Sequence, residues 1–136
     1  MLTIDFLITP PFGSQDTIIK KIFTKIALGH NKEIGVLTLV VGDDEWLLDY
    51  NNKFLNHNYY TDIITFDYSE NNLLSADFLI SLDRVIDNAI RLNVSRETEF
   101  LRVCIHGFLH LCGYSDKTEK EQKIMREKED YYLSLS

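Results

Sequence analysis

From Phe100 to Asp116 the chain reads FLRVCIHGFLHLCGYSD. Up to Cys112 this stretch is almost wholly apolar. At about 100° per residue, Phe100, Leu101, Cys104, Ile105, Phe108, Leu111 and Cys112 cover most of a helix circumference. A helix apolar nearly all round is a buried one. Its single polar side carries Glu99, Arg102, His106 and His110. The two imidazoles lie one turn apart, about 40° from each other around the axis. Gly113 follows, and a glycine at a helix end adopts positive φ and turns the chain sharply. Such a turn brings Asp116 back toward the histidines. Two imidazoles, a carboxylate and an open fourth position describe a catalytic zinc site. Such a metal lowers the pKa of bound water toward about 7. His106, His110 and Asp116 are therefore the candidate ligands of one divalent metal, zinc first. The competing reading is a pair of hydrogen-bonded core histidines.

Outward from this helix, strands precede and helices follow. Residues 1–9 read as a strand closed by Pro10-Pro11. Ser14 or Asp16 caps a helix that buries Ile18, Ile19, Ile22, Phe23 and Ile26 and stops at Gly29. Ile34–Val41 is a buried strand. Asp43 and Asp44 cap a helix with Trp46, Leu47, Tyr50 and Phe54 inward. Thr61–Asp67 and Leu74–Ser81 pair as a hairpin. Asp83 caps a short helix to Leu92, Ser95 caps the histidine helix, and a polar helix runs from Thr118 to Tyr131. The order β-α-β-α-β-β-α-α-α implies an α+β fold, one mixed four-stranded sheet with helices packed on it.

The chain has 136 residues, 45% hydrophobic and 26% charged. This suits a single domain over residues 1–136, which buries about 68–70% of its unfolded surface. No apolar run approaches the roughly 20 residues of a membrane span. The first residues lack a basic region and include Asp5, so they do not read as a signal peptide. Cys104 and Cys112 are eight residues apart. On a helix that is about 12 Å, too far for a disulfide. A cytoplasmic location follows as the expectation. The net charge of −7 counts against a nucleic-acid coat protein, which needs excess Lys and Arg. Any nucleic-acid activity must rest on a site.

The histidine spacing resembles the zincin peptidase motif H-E-x-x-H. The glutamate those enzymes use as general base is Gly107 here, which disfavours a metallopeptidase. A closer resemblance is to H-G-x-L-H-L-x-G-Y-D-H, the signature of the YbeY family of bacterial rRNA maturation factors. His106, Gly107, Leu109, His110, Leu111, Gly113 and Tyr114 all fit. Asn51 with Thr61-Asp62-Ile63-Ile64-Thr65-Phe66 is similar to the family's N…T-D-V-L-S-F. Ala76-Asp77-Phe78-Leu79-Ile80-Ser81 is similar to its G-D-I-x-I-S strand. The resemblance implies a zincin-like fold and a zinc-dependent, single-strand-specific endoribonuclease of the cytoplasm. It implies roles in 16S rRNA 3′-end processing and ribosome quality control, with ribosomal RNA and ribosome-associated proteins as partners. A non-catalytic, metal-containing ribosome assembly factor is the alternative. The family's third ligand is histidine, and Asp116 stands there. The family's arginine before the T-D-V-L-S-F block is Leu55.

Other residues have two roles open. Arg102 is a candidate phosphate contact or a partner of Glu99 or Glu97. Asp77 is a candidate acceptor for a ligand imidazole or a turn cap. Asp62 reads foremost as a turn carboxylate and otherwise as a substrate contact. His30 and His57 read as solvated, and the run from Lys117 to Asp130 as a solvated helix face. Tyr59, Tyr60 and Tyr68 read as packing in preference to base stacking. Arg84, Arg91, Arg96 and Arg102 are expected to form a positive surface beside the metal.

Overall fold

The computed structural model describes residues 1–136. Strand β1 (Leu2–Phe6) runs parallel to β2 (Glu33–Gly42), and β2 runs parallel to β4 (Leu73–Ser81). Strand β3 (Ile63–Asp67) forms the antiparallel hairpin with β4, with Ile64 opposite Leu79. The sheet order is β1-β2-β4-β3, so β3 is an edge. This is the expected mixed four-stranded sheet of an α+β fold.

Alternation along the strands divides the apolar residues between two faces. Leu37, Leu39, Val41, Ala76, Phe78 and Ile80 belong to the main core of 24 buried side chains. That core is completed by α1 (Asp16–Gly29), α4 (Arg96–Leu111) and α5 (Glu119–Leu133). Phe108 of α4 stacks on Phe23 of α1 with ring centres 4.2 Å apart. Truncating Phe108 to alanine would cost about 3–5 kcal/mol. Leu47, Ile64 and Leu79 form a smaller cluster on the opposite face. There α2 (Asp44–Leu55) covers the sheet. Phe54, expected inward, is 55% exposed and packs edge-on against Phe66.

Caps explain most helix starts. Asp43, Ser95 and Thr118 each accept a backbone N–H in the first turn of α2, α4 and α5. Two expected caps differ. Helix α1 begins after Gln15 without a side-chain cap. Helix α3 (Leu82–Leu92) is capped by Ser81, not Asp83. Asp83 instead accepts the Asp44 N–H at 2.9 Å and ties α3 to α2. No helix is long and apolar enough to cross a membrane. Both cysteines are free, and burial pushes the Cys112 thiol up to about 11.

Candidate metal centre

Gly107 seats α4 on the sheet. A Cβ there would lie 2.6 Å from Ile63 Cδ1 and 3.1 Å from Phe78 Cδ1. The glycine between the histidines thus permits close approach of helix to β3 and β4. A glutamate at this position would start out into that packed interface.

The end of α4 turns as expected. Gly113 has φ +108°. Its N–H donates to His110 O, and the Tyr114 N–H donates to Leu109 O. This is a Schellman closure, which only a residue tolerant of positive φ completes cheaply. It returns Tyr114 O to His110, whose Nδ1 donates to it at 2.8 Å. It also returns Asp116. Asp116 does not cap α5, because Thr118 does so in a capping box with Glu121.

His106 is held from the other side. Its Nδ1 donates to Glu129 Oε2 of α5 at 2.6 Å. Both Nδ1 atoms thus carry the proton, and both Nε2 atoms of the neutral rings carry lone pairs. These two Nε2 atoms lie 3.0 Å apart. Asp116 Oδ2 lies 3.3 Å from one and 3.5 Å from the other. Three electron-rich atoms facing one another repel unless a proton or cation lies between them. A tetrahedral ion with bonds of about 2.0–2.1 Å spaces its ligands about 3.3 Å apart. The donor set therefore fits a divalent cation. Burial opposes charge on His106. The hydrogen bond and charge of Glu129, aided by Asp62 and Asp116, outweigh it and hold the imidazole above its ordinary range.

Glu129 is only 4% exposed and is itself fixed by Arg102. Arg102 Nη1 lies 3.2 Å from Glu129 and 3.0 Å from Asp130, and its Nε lies 3.4 Å from Glu99. This guanidinium is committed to three carboxylates, one of them the expected Glu99. That corrects its reading as a phosphate contact. Asp77 is no imidazole acceptor either; it accepts the Tyr68 hydroxyl at 3.2 Å.

Two cavities flank the triad, and both are lined by Asp62, His106 and Asp116. One, of about 430 Å³, lies among α3, α4 and α5, with Arg91 and Arg126 in its wall. The other, of about 560 Å³, follows edge strand β3 and includes Leu55, Tyr59 and Leu111. The expected arginine surface is thereby corrected. Arg84 is bound to Asp44 at 3.0 Å and Asp87 at 2.9 Å, and neither it nor Arg96 lines either of these two cavities. Asp62 sits just before β3, where burial raises its carboxyl above the usual range.

The chain matches the family described as Endoribonuclease YbeY over residues 13–135. It belongs to the YbeY family. A protein named Endoribonuclease YbeY from Azobacteroides pseudotrichonymphae is 44% identical over 121 residues, 86% of this chain and 87% of that protein. Another of the same name, from Christiangramia forsetii, is 47% identical over 105 residues, covering 77% of this chain and 73% of that one. The solution structure of a Thermotoga maritima protein superimposes with a TM-score of 0.65 at 24% identity. It covers 98% of this chain and 87% of that one, and shows the same fold. Within the YbeY signature, Asp116 stands beside the two histidines where the family pattern has a third. Leu55, at the place of the family arginine, is 44% exposed and lines the β3 cavity.

Three contributors were given no supporting role by the sequence reading, although Asn51 belongs to the N…T-D-V-L-S-F similarity. Glu129 falls in the run read as solvated. Its signal was its place between Met125 and Tyr132, all three buried on one stripe of α5. His30, also read as solvated, donates from Nδ1 to Ile26 O and accepts the Tyr114 hydroxyl at Nε2, 2.8 Å away. It braces the turn that holds His110. Asn51, 1% exposed, donates to Tyr59 O at 2.9 Å. The packing role expected of Tyr59, Tyr60 and Tyr68 is not met, since they are 57%, 47% and 59% exposed.

Proposed function

We propose that this chain, as a single domain over residues 1–136, is a metal-dependent endoribonuclease specific for single strands. It acts in the cytoplasm on ribosomal RNA, in 16S 3′-end processing and ribosome quality control, alongside ribosome-associated proteins. His106, His110 and Asp116 hold one zinc ion. The observation that carries this reading is the triangle of Nε2, Nε2 and Oδ2 atoms, each 3.0–3.5 Å from the others. Family membership supports the ribonuclease activity.

A divalent ion bound there supplies Lewis acidity and activates water for attack on a phosphodiester. The chain's own residues do the rest. Glu129 and Tyr114 O lock both imidazoles with Nε2 inward. Asp116 reduces the site's net charge by one and widens the choice of metal beyond zinc. Arg91 and Arg126 line the cavity beside the triad, where they would meet the phosphate backbone of a bound strand; Arg126 also lies 4.0 Å from Glu129.

A purely structural metal is disfavoured, because structural zinc sites are closed by four protein ligands and this one has three between two cavities. Peptide hydrolysis is disfavoured by Gly107. The test is cleavage of single-stranded RNA by highly purified protein, with metal analysis of protein prepared without a histidine tag. Cleavage that His106→Ala abolishes supports the nuclease. Zinc binding without cleavage supports the assembly factor, and hydrolysis of casein supports the peptidase.

A further inference from the structure

The loop between α2 and β3 carries an aromatic pair that nothing in the metal centre uses. Tyr59 stacks on His57 with ring centres 5.0 Å apart and planes at 21°. The Tyr59 hydroxyl donates to His57 Nδ1 at 2.9 Å. One face of the phenol is thus backed by the imidazole, while the side chain stays largely exposed.

The fold goes to some cost to build this pair. Asn51 is one of four buried polar residues. Ser81 caps α3, and Glu99 and Glu129 serve Arg102. Asn51 serves only the loop. Its side chain donates to Tyr59 O, and its backbone carbonyl accepts the His57 N–H at 3.1 Å. A buried amide is unfavourable unless bonded, and an aliphatic residue would pack there without that cost. The Asn51 side chain thus fixes the backbone of Tyr59, and its carbonyl holds that of His57.

The surroundings specify the occupant. Tyr59 and Leu55 line the β3 cavity together with His106, His110 and Asp116. No lysine or arginine lines it, and three aspartates do: Asp62, Asp67 and Asp116. Away from the metal ligands themselves, a phosphate is poorly received there. A flat neutral group stacked on the phenol is better received. The cations lie across the triad, at Arg91 and Arg126.

We infer that the His57–Tyr59 pair is a stacking platform for one unpaired nucleobase of the RNA substrate, placed so that the backbone crosses the triad toward the two arginines. This rests on the ribonuclease reading above. It gives single-strand preference a physical basis, because a base within a duplex presents no free face to the phenol.

The probe is a single-stranded hexaribonucleotide with 2′-O-methyl riboses and one 2-aminopurine, whose fluorescence falls on stacking. It is titrated into zinc-loaded wild type, Tyr59→Phe and Tyr59→Ala. Wild type binds and quenches. Tyr59→Phe keeps the ring and stays within about 2-fold, whereas Tyr59→Ala loses affinity on the order of 10-fold, together with the quench. Zinc affinity and melting temperature hold in both variants, since the side chain is exposed. If Tyr59→Ala binds and quenches like wild type, the platform is overturned, and the ribonuclease reading stands. If wild type binds no single-stranded RNA, both are overturned.

Discussion

Glu129 Oε2 accepts the His106 Nδ1 proton at 2.6 Å, so the last helix of the chain orients an imidazole of the helix before it. An acceptor on the far nitrogen fixes both the tautomer and the direction of the ligating lone pair. Glu129→Ala should lower zinc affinity about 10–100-fold. Glu129→Gln keeps an oxygen but not the charge and should fall between. Competition with a chromophoric chelator reads this out. Equal affinity in all three proteins would remove Glu129 from the support of the site.

Arg102→Ala tests the role assigned to the buried guanidinium. It would leave Glu99 and Glu129, 3% and 4% exposed, with only the more distant Arg126, 4.0 Å from Glu129, as counter-charge. Removing one partner of a buried pair costs about 3–5 kcal/mol. Urea denaturation should show a loss of that order. Unchanged stability with weakened RNA binding would instead return Arg102 to the phosphate.

Asp116 separates this chain from its family's histidine pattern. Asp116→Ala should weaken zinc binding by about 10-fold or more. Asp116→Asn should resemble it, since a neutral amide is a poor zinc ligand. Asp116→His should restore tight binding and lower the bound-water pKa through the added net positive charge. Calorimetric titration with zinc compares them, and an Asn variant indistinguishable from wild type would sink the assignment.

Protons and metal compete for the same Nε2 lone pairs. Zinc affinity should therefore fall as pH drops. Because Glu129 holds His106 above the ordinary imidazole range, the fall should begin above about pH 6.5. With two histidines titrating, its slope should exceed one proton per metal. Affinity that stays flat between about pH 5 and 7 would show that neither ring is a ligand.

Arg91→Glu and Arg126→Glu should weaken RNA binding and flatten its salt dependence. The log–log slope should fall by about 0.7 for each phosphate that is no longer neutralised. Arg84→Glu should leave the slope alone and reduce stability, because Arg84 already serves Asp44 and Asp87. The reverse pattern would move the RNA path to the other side of α3.

The histidine helix was legible because everything that sets it is local. Its 3.6-residue apolar period, the Gly113 turn and the return of Asp116 all lie within one short stretch. The sheet was legible for the same reason, through β-branched runs and a hairpin turn. What escaped depends on docking between distant segments. Glu129 is one of several acids in KTEKEQKIMREKED, and only the seating of α5 on α4 selects it for burial. His30 meets Tyr114 84 positions away, which no local pattern encodes. Ser81 displaced Asp83 as a cap because Asp83 was drawn to the neighbouring helix start.

Gly107 also bears on what this scaffold can become. A lineage drifting toward amide hydrolysis would have to place a carboxylate between the histidines. Its first methylene would meet the tip of Ile63 and the edge of Phe78, so Ile63 Cδ1 must turn aside and the Phe78 ring must give by a few tenths of an ångström. A bare backbone between the ligands thus sets the distance at which the helix rides on the sheet, and any carboxylate added there has to be fitted into that gap.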